Sequence, residues 1–207
     1  MLKLNRRSLF CCITCCLAIL FFLVACSDDP GIKIVDRVET VALGNMAAGS
    51  GWTDLLDDIE LNKEYIALDL SDCTMDETLF DPRYGIETGK KWIVSIILPK
   101  SATAIFGSGY ENPSFSHFTE LESIKGANVE TIGNWSFRFC EKLSTVDFPK
   151  ATKIEQGAFN NCKKLTSVDF PEVTEIGPGA FSDCQGLLSV NFPKATEVGG
   201  SAFSHCD

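Results

Sequence analysis

The stretch KLTSVDFPEVTEIGPGAFSDCQGL, from Lys164 to Leu187, decides the fold because close variants of it stand 22 residues upstream and 22 residues downstream. Aligned on these copies, the chain follows the template L-x-x-V-x-F-P-x-[AV]-T-x-[IV]-x-x-x-A-F-x-x-C-x-x. The segments 143–164, 165–186 and 187–207 satisfy this template, the last one residue short. Self-similarity at a fixed period is typical of repeat architectures, in which each unit is one structural building block.

Two looser copies of the unit precede these three. The copy at 121–142 keeps most apolar positions, but Gly126-Ala127 replaces Phe-Pro. The copy at 93–120 is 28 residues long, and its six extra residues fall in the glycine-rich stretch FGSGYENP. Glycine-rich stretches between regular segments are typical of loops. We therefore predict a repeat region over 93–207 with one inserted loop.

The residues before the repeats predict an atypical α/β cap over 34–92, joined to the N-terminal part of the chain by a linker at 27–33. The stretch YIALDLS places Tyr65 and two leucines 28 residues before the apolar positions that open the first repeat, which indicates one more strand. The preceding TDLLDDIEL has the apolar spacing of a short amphipathic helix, with Thr53 or Asp54 as its N-cap.

The alternation within LTSVDFP gives a physical reason for the repetition. Leu165, Val168 and Phe170 can face a shared interior while Ser167 and Asp169 face solvent, as a half-buried strand requires. The proline that follows ends the strand, and the later VTEI and AFSDC segments return to the core. A single coil cannot bury its own apolar face, so successive coils should stack about 4.8 Å apart.

The unit LTSVDFPEVTEIGPGAFSDC resembles the BspA-type leucine-rich repeats found in surface proteins of treponemes and oral bacteria. The resemblance is close over 121–207 and looser over 93–120. It implies a leucine-rich-repeat-like, right-handed α/β solenoid of 22-residue coils with short parallel strands. It also implies a surface that binds host matrix proteins or other bacteria, as several members of the family do.

The strand alternation predicts an outward stripe of small polar and acidic side chains. Its members are Ser123 and Lys125, Thr145 and Asp147, Ser167 and Asp169, and Ser189 and Asn191. Ser95 and Ile97 occupy the same positions in the preceding coil. Two interpretations of this stripe remain open, namely a partner-binding face and a strand face that is merely solvated.

The inserted loop from Phe106 to Phe115, with Tyr110 near its centre, is a second candidate site. Insertions in solenoids often carry function. The same loop could equally accommodate a change of coil length.

The first 26 residues have the features of a lipoprotein signal. Lys3, Arg6 and Arg7 precede an uncharged apolar run that ends in LVAC, where Cys26 is the predicted lipidation site and mature N-terminus. An uncleaved membrane anchor is the alternative, although 17 apolar residues are short for a span. The sequence thus predicts an exported protein, lipid-anchored at the envelope, with the outer membrane or cell surface favoured.

Cleavage after residue 25 would change both the charge and the cysteine content. It removes three basic and no acidic residues, so 15 basic and 28 acidic residues remain, giving a net charge of −13 with both histidines neutral. This charge excludes nucleic-acid binding as the main activity. Four of the ten cysteines also leave with the signal.

Four of the remaining cysteines recur at the repeat period: Cys140, Cys162, Cys184 and Cys206. Stacked neighbours about 5 Å apart would allow a disulfide in an exported protein. The same position is a small apolar core site, in which free thiols pack well. Both interpretations remain open from the sequence.

No enzyme, cofactor or metal site is predicted. GSGYE and GSGW do not form the G-x-S-x-G nucleophile motif, and TGKKW lacks the rest of a phosphate-binding loop. The cysteine row, with His117 and His205 nearby, lacks the paired ligand spacing of zinc sites.

Two functions follow from these observations. The first is a lipid-anchored surface protein that binds host matrix proteins or other cells through its repeats. The alternative is a periplasm-facing lipoprotein that acts as a scaffold in an envelope complex and has no adhesive role.

Overall fold

The structure is a computed structural model that describes residues 32–34, 42–44, 50–83 and 87–206 of the 207-residue chain. The predicted signal sequence, with Cys26, lies outside the described residues. The elements, in chain order, are β1 (Ile32–Ile34), β2 (Ala42–Gly44), α1 (Ser50–Asn62), β3 (Tyr65–Asp69), β4 (Thr74–Met75), β5 (Leu79–Phe80), α2 (Glu87–Lys90), β6 (Ile93–Ile97), β7 (Ala104–Ile105), β8 (Ser123–Lys125), β9 (Thr131–Ile132), β10 (Thr145–Asp147), β11 (Lys153–Ile154), β12 (Ser167–Asp169), β13 (Glu175–Ile176), β14 (Ser189–Asn191) and β15 (Glu197–Val198).

The predicted strands form a parallel sheet that continues from the cap into the repeats. Its hydrogen-bonded order is β1-β3-β6-β8-β10, and β12 and β14 pair in the same parallel manner. Val168 pairs with Val190, one coil of 22 residues away, and Ile96 pairs with Ile124 across the longer coil of 28. The fold is therefore an α/β repeat solenoid preceded by a small cap, as the sequence predicted.

A second parallel sheet, which the sequence analysis did not predict, runs along another side of the coils. Within the described part of the chain it has six strands in the order β15-β13-β11-β9-β7-β5. Each strand is only two residues long, and in β13 Ile176 is buried while Glu175 is partly exposed. Because β5 belongs to the cap, this sheet also joins the cap to the repeats.

Phenylalanine side chains form a stacked row along the interior. The rings of Phe137 and Phe159 lie 5.1 Å apart between centroids with an interplanar angle of 8°. Phe159 and Phe181 are 5.2 Å apart at 10°, and Phe181 and Phe203 are 5.3 Å apart at 1°. The centroid distances are close to the spacing of neighbouring strands, so ring stacking and strand pairing follow the same repeat.

The row of cysteines lies beside this aromatic row, and Cys140, Cys162 and Cys184 are buried free thiols. Each Sγ donates a hydrogen bond to the carbonyl oxygen of a core phenylalanine 25 residues earlier: Cys162 to Phe137 at 3.3 Å and Cys184 to Phe159 at 3.1 Å. The thiols therefore fill an apolar position and also satisfy a backbone acceptor of another coil, as expected for the buried-thiol interpretation.

The cap covers one end of the core with helix α1. Trp52, Leu56 and Ile59 lie on one face of this helix and are buried, and the Trp52 ring meets the Phe80 ring edge-on at 5.9 Å. The helix begins at Ser50, so the prediction that Thr53 or Asp54 caps it was wrong, since both lie inside it. The helix is one turn longer because Trp52 is buried against strand β5, a contact that local sequence does not reveal.

Strand β3 pairs with β6 as predicted, with one change of register. Leu68 pairs with Ile96, 28 residues later, but Ile66 rather than Tyr65 pairs with Ile93. A bulge between Ile66 and Ala67 causes the shift. Tyr65 is therefore exposed and packs on the Trp92 ring instead of entering the core.

The buried thiols give a chemical test of the interior. Burial raises the pKa of Cys184 to about 12 and holds the pKa of Cys140 and Cys162 well above that of an ordinary cysteine. A raised pKa keeps the thiol protonated and unreactive at neutral and mildly alkaline pH.

We expect iodoacetamide at pH 8 to leave these three residues unmodified in the folded protein and to alkylate all three in unreduced protein in guanidinium chloride. Peptide mass spectrometry measures both. Rapid alkylation of the folded protein, or protection of a pair after unfolding, would contradict the structure.

Candidate functional site

The predicted stripe lies where the sequence placed it, on the outward face of strands β8, β10, β12 and β14. Ser123 is half-buried, and the other seven members are exposed. Ladder partners bring Ser123 beside Thr145 and Lys125 beside Asp147, and in the next pair of strands Ser167 lies beside Ser189. The positions of these residues are as predicted, whereas their role in binding stays a prediction.

The stripe offers short polar groups at regular spacing. Ser123 Oγ donates to Ser95 Oγ at 2.7 Å, and Asn191 Nδ2 donates to Asp169 Oδ1 at 2.9 Å. Hydroxyl, amide and carboxylate groups on a row of paired strands can form hydrogen bonds with an extended or folded protein surface. The stripe contains no aromatic side chain among its eight members.

Several lysines outside the stripe pair with a glutamate of the preceding coil. Lys163 contacts Glu141 at 2.7 Å, Lys194 contacts Glu172 at 2.6 Å, and Lys142 contacts Glu120. The hydrogen bond that Lys142 donates to Glu120 is the main reason why the pKa of Lys142 is raised, so this lysine stays charged at neutral pH. Exposed pairs of this kind contribute little stability each, but they hold side chains across neighbouring coils.

The inserted loop is fixed against the coil at 121–142. Ser108 N donates to Asn134 O at 2.8 Å, and Phe115 N donates to Ser136 O at 2.9 Å. Ser114 Oγ closes the loop on itself by donating to Phe106 O at 2.7 Å. Tyr110 is therefore presented from a loop that is anchored at both ends.

Tyr110 belongs to a cluster that we call the aromatic patch, defined as Tyr110, Trp135, Arg138 and Phe139. The Tyr110 ring meets the Trp135 ring edge-on at 5.1 Å. The guanidinium carbon of Arg138 lies 3.3 Å from the Tyr110 ring centroid and 4.0 Å from the Phe139 ring centroid. Tyr110 remains 51% exposed and Phe139 48% exposed. The patch thus places two half-exposed rings around a stacked arginine.

Hydrogen bonds fix the arginine within the aromatic patch. Arg138 is only 7% exposed, and it donates to Asn160 Oδ1 at 3.3 Å and to the backbone oxygen of Tyr110. No ion pair of Arg138 occurs with any carboxylate in the part of the chain that the structure describes. Its charge is instead compensated by ring faces and two oxygen acceptors.

Tyr110 was predicted from the sequence as a candidate site residue, whereas Trp135, Arg138 and Phe139 were not. The aligned copies show that this coil departs from the repeat. The position of Trp135 is glycine in the next two coils, and the position of Phe139 is Asn161 and then Asp183. The repeat template contains only what the copies share, so it does not show these two departures.

The backbone at two patch residues is left-handed. Trp135 has a φ of 55° and Phe139 has a φ of 64°. Glycine occupies the first position in the next two coils, Gly157 and Gly179, each with a φ of 61°. Bulky residues rarely adopt this conformation, whereas glycine, asparagine and aspartate accept it more readily. The two aromatic residues therefore occupy positions where the repeat normally uses more suitable residues.

The other site classes find little support in the described residues. No group of three or more His, Cys, Asp or Glu side chains there could hold a metal ion, and no helix there is long and apolar enough to cross a membrane. A cavity of about 350 Å³ near the cap is lined in part by Asp72 and Lys100, but these two side chains form an ion pair at 2.9 Å.

Comparison with known proteins identifies the repeat. A family model described as the BspA type leucine rich repeat region matches residues 90–207 in six copies. The chain belongs to this family. The resemblance inferred from the 22-residue template is thus confirmed.

Solved structures of other bacterial repeat proteins are similar to this chain. The T. pallidum leucine rich repeat protein is 24% identical with a TM-score of 0.50, and the match covers 55% of each chain. A leucine rich cell surface protein of Faecalibacterium prausnitzii is 25% identical with a TM-score of 0.44, over 55% of this chain and 37% of that one. The matched region spans about half of the T. pallidum chain, and that likeness supports the fold alone. No curated protein shows significant similarity to the chain.

Two glycines of this repeat family member form a matched pair that tests the packing of Trp135. A Cβ added at Gly157 would lie 2.0 Å from the Trp135 ring, whereas one added at Gly179 would meet nothing closer than Ser182 Cβ at 3.9 Å. Both have the same positive φ, so each substitution by alanine costs about 1–2 kcal/mol for the left-handed backbone. We expect Gly157→Ala to lower the free energy of unfolding by clearly more than Gly179→Ala, as measured in urea. Equal losses would show that Trp135 does not lie on Gly157.

Proposed function

We propose that this protein is a lipid-anchored, non-enzymatic leucine-rich repeat protein at the cell surface that binds other proteins, in particular host matrix proteins or proteins of other bacteria. Repeats of this family form protein-binding scaffolds. The observation that supports the finer proposal best is the stripe, whose polar side chains face outward on consecutive coils. A stacked array of this kind presents an extended surface that suits a large partner rather than a small molecule.

The membrane attachment in this proposal comes from the sequence. The apolar run that ends in LVAC places Cys26 where a lipoprotein would be acylated, and Ser27-Asp28-Asp29 follows as a polar segment. A single acylated terminus would hold the solenoid at the envelope and leave the repeats free to meet partners.

The anchor and the orientation can be tested together in cells. We expect the protein to incorporate labelled palmitate and to be cleaved when protease is added to intact cells. Cys26→Ala should abolish the label because it removes the acylated sulfur. A periplasmic marker protein, protected while the outer membrane is sealed, is the control for cell integrity. Protection of the repeats under the same conditions would contradict the surface location and favour the periplasmic scaffold.

The stripe can be tested by charge reversal. Asp147→Lys combined with Asp169→Lys changes two exposed members without touching the core, so the melting temperature should hold. We expect binding of the purified full chain to immobilised fibronectin, laminin or collagen to fall at least tenfold, because the contact face is altered. Surface plasmon resonance measures the affinity.

A matched control carries the same charge change on the other sheet. Glu130→Lys with Glu197→Lys alters two exposed carboxylates near β9 and β15. This control should change the affinity less than twofold. Equal losses in both double variants would indicate a general charge effect and contradict a role of the stripe, whereas no binding to any of the matrix proteins would contradict adhesion.

A further inference from the structure

Two residues of the aromatic patch have an unfavourable backbone conformation. Trp135 and Phe139 have left-handed φ values of 55° and 64°, at positions where the next coil has Gly157 and Asn161. Strained positions of this kind persist where the surrounding structure holds them, and they concentrate at functional sites. A coil that followed its neighbours would avoid the strain at both positions. The departure from the repeat therefore points to a use for the exposed rings.

The rings are held in place before any partner arrives. The guanidinium of Arg138 packs between Tyr110 and Phe139, and Arg138 is itself fixed by Asn160 Oδ1 and by the backbone oxygen of Tyr110. The edge contact with Trp135 restrains the Tyr110 ring from another direction. Binding to such a surface loses little conformational entropy.

The composition of the patch suits a binding anchor better than that of the stripe. Tyrosine, tryptophan and arginine are the residues most enriched where a few side chains carry most of the binding energy, and serine and threonine are under-represented there. The patch has all three enriched types within one cluster, whereas the stripe is mainly small and polar. The patch and the stripe share no residue.

The charges beside the patch indicate the sign of the partner. Glu111 follows Tyr110 and is exposed, and Glu141 lies two residues after Phe139 and is exposed. Glu141 is paired with Lys163 at 2.7 Å, and Arg138 already has its own acceptors. Glu111 is therefore the exposed charge beside the rings that makes no ion pair with another described residue. An exposed carboxylate beside apolar rings, on a chain with a net charge of −10, is complementary to a basic surface.

We propose that the aromatic patch is an anchor site for a basic segment of a partner protein. An apolar side chain, or the aliphatic stem of a lysine or arginine, packs on the exposed parts of Tyr110 and Phe139. The positive groups of the segment pair with the exposed carboxylate of Glu111. This site is independent of the stripe and requires neither a lipid anchor nor adhesion.

The decisive variant is Phe139→Asn, which installs the residue type of the next coil. Asparagine accepts a left-handed backbone, so the melting temperature should stay the same or rise while the exposed ring is lost. The probe is a pool of 12-residue peptides in which lysine or arginine alternates with leucine, isoleucine or phenylalanine. Fluorescence anisotropy with the full chain in mild detergent should show binding that weakens at least tenfold in Phe139→Asn and in Tyr110→Ser.

Two controls make the result specific to the patch and its charge. His205→Asn installs asparagine at the equivalent position of the last coil, where φ is 56°, and should change affinity less than twofold. A charge-reversed pool, with glutamate and aspartate in place of the basic residues, should bind at least tenfold more weakly than the basic pool.

Several outcomes would overturn the inference. These are undiminished binding of the basic pool in folded Phe139→Asn or Tyr110→Ser, equal binding of the acidic pool, and loss of binding only in the stripe variant Asp147→Lys with Asp169→Lys. None of them bears on surface exposure or matrix binding, which are measured in separate assays. Conversely, a periplasmic location would contradict the proposed adhesive function but would not contradict the anchor site.

Discussion

The stacking of each core phenylalanine on its counterpart one coil away is the contact on which the rest of the structure depends. The rings repeat at 5.1 to 5.3 Å, close to the separation of paired strands, so rings and backbone advance together. This agreement fixes the register, because a slip of one residue would turn the buried Val168 outward and the exposed Asp169 inward. Once the register is fixed, any two residues 22 apart occupy equivalent places, and the thiol row, the lysine–glutamate pairs and the stripe all follow.

The sequence could predict whatever recurs. Val168, Ile176, Phe181 and Cys184 are buried as the template indicated, and the outward stripe lies on the strands that alternation predicted. It could not predict the second sheet, since two-residue strands such as Glu175–Ile176 are too short to show alternation. The start of helix α1 and the bulge that exposes Tyr65 depend on tertiary contacts, which a local pattern does not contain.

The aromatic patch was missed for the opposite reason, because it lies in what does not recur. Trp135, Arg138 and Phe139 are exceptions within their own copy, and the contacts of Trp135 and Arg138 with Tyr110 join an inserted loop to the coil that follows it. A repeat template removes such exceptions by construction. The stripe lies on the regular coils, whereas the chemistry of the aromatic patch comes from positions that depart from the repeat.

The repeat also makes the exception possible. The left-handed backbone of the patch is held by the following coil, where Trp135 N donates to Gln156 O at 2.9 Å, Phe137 N to Ala158 O at 2.8 Å and Phe139 N to Asn160 O at 2.9 Å. The next coils make the equivalent backbone hydrogen bonds. The regular hydrogen bonding between coils therefore holds the strained backbone of the patch in place. Because these hydrogen bonds hold the rings of the aromatic patch in place without a ligand, a partner meets a surface that is already formed. The regular coils thereby stabilise the one coil that departs from the repeat.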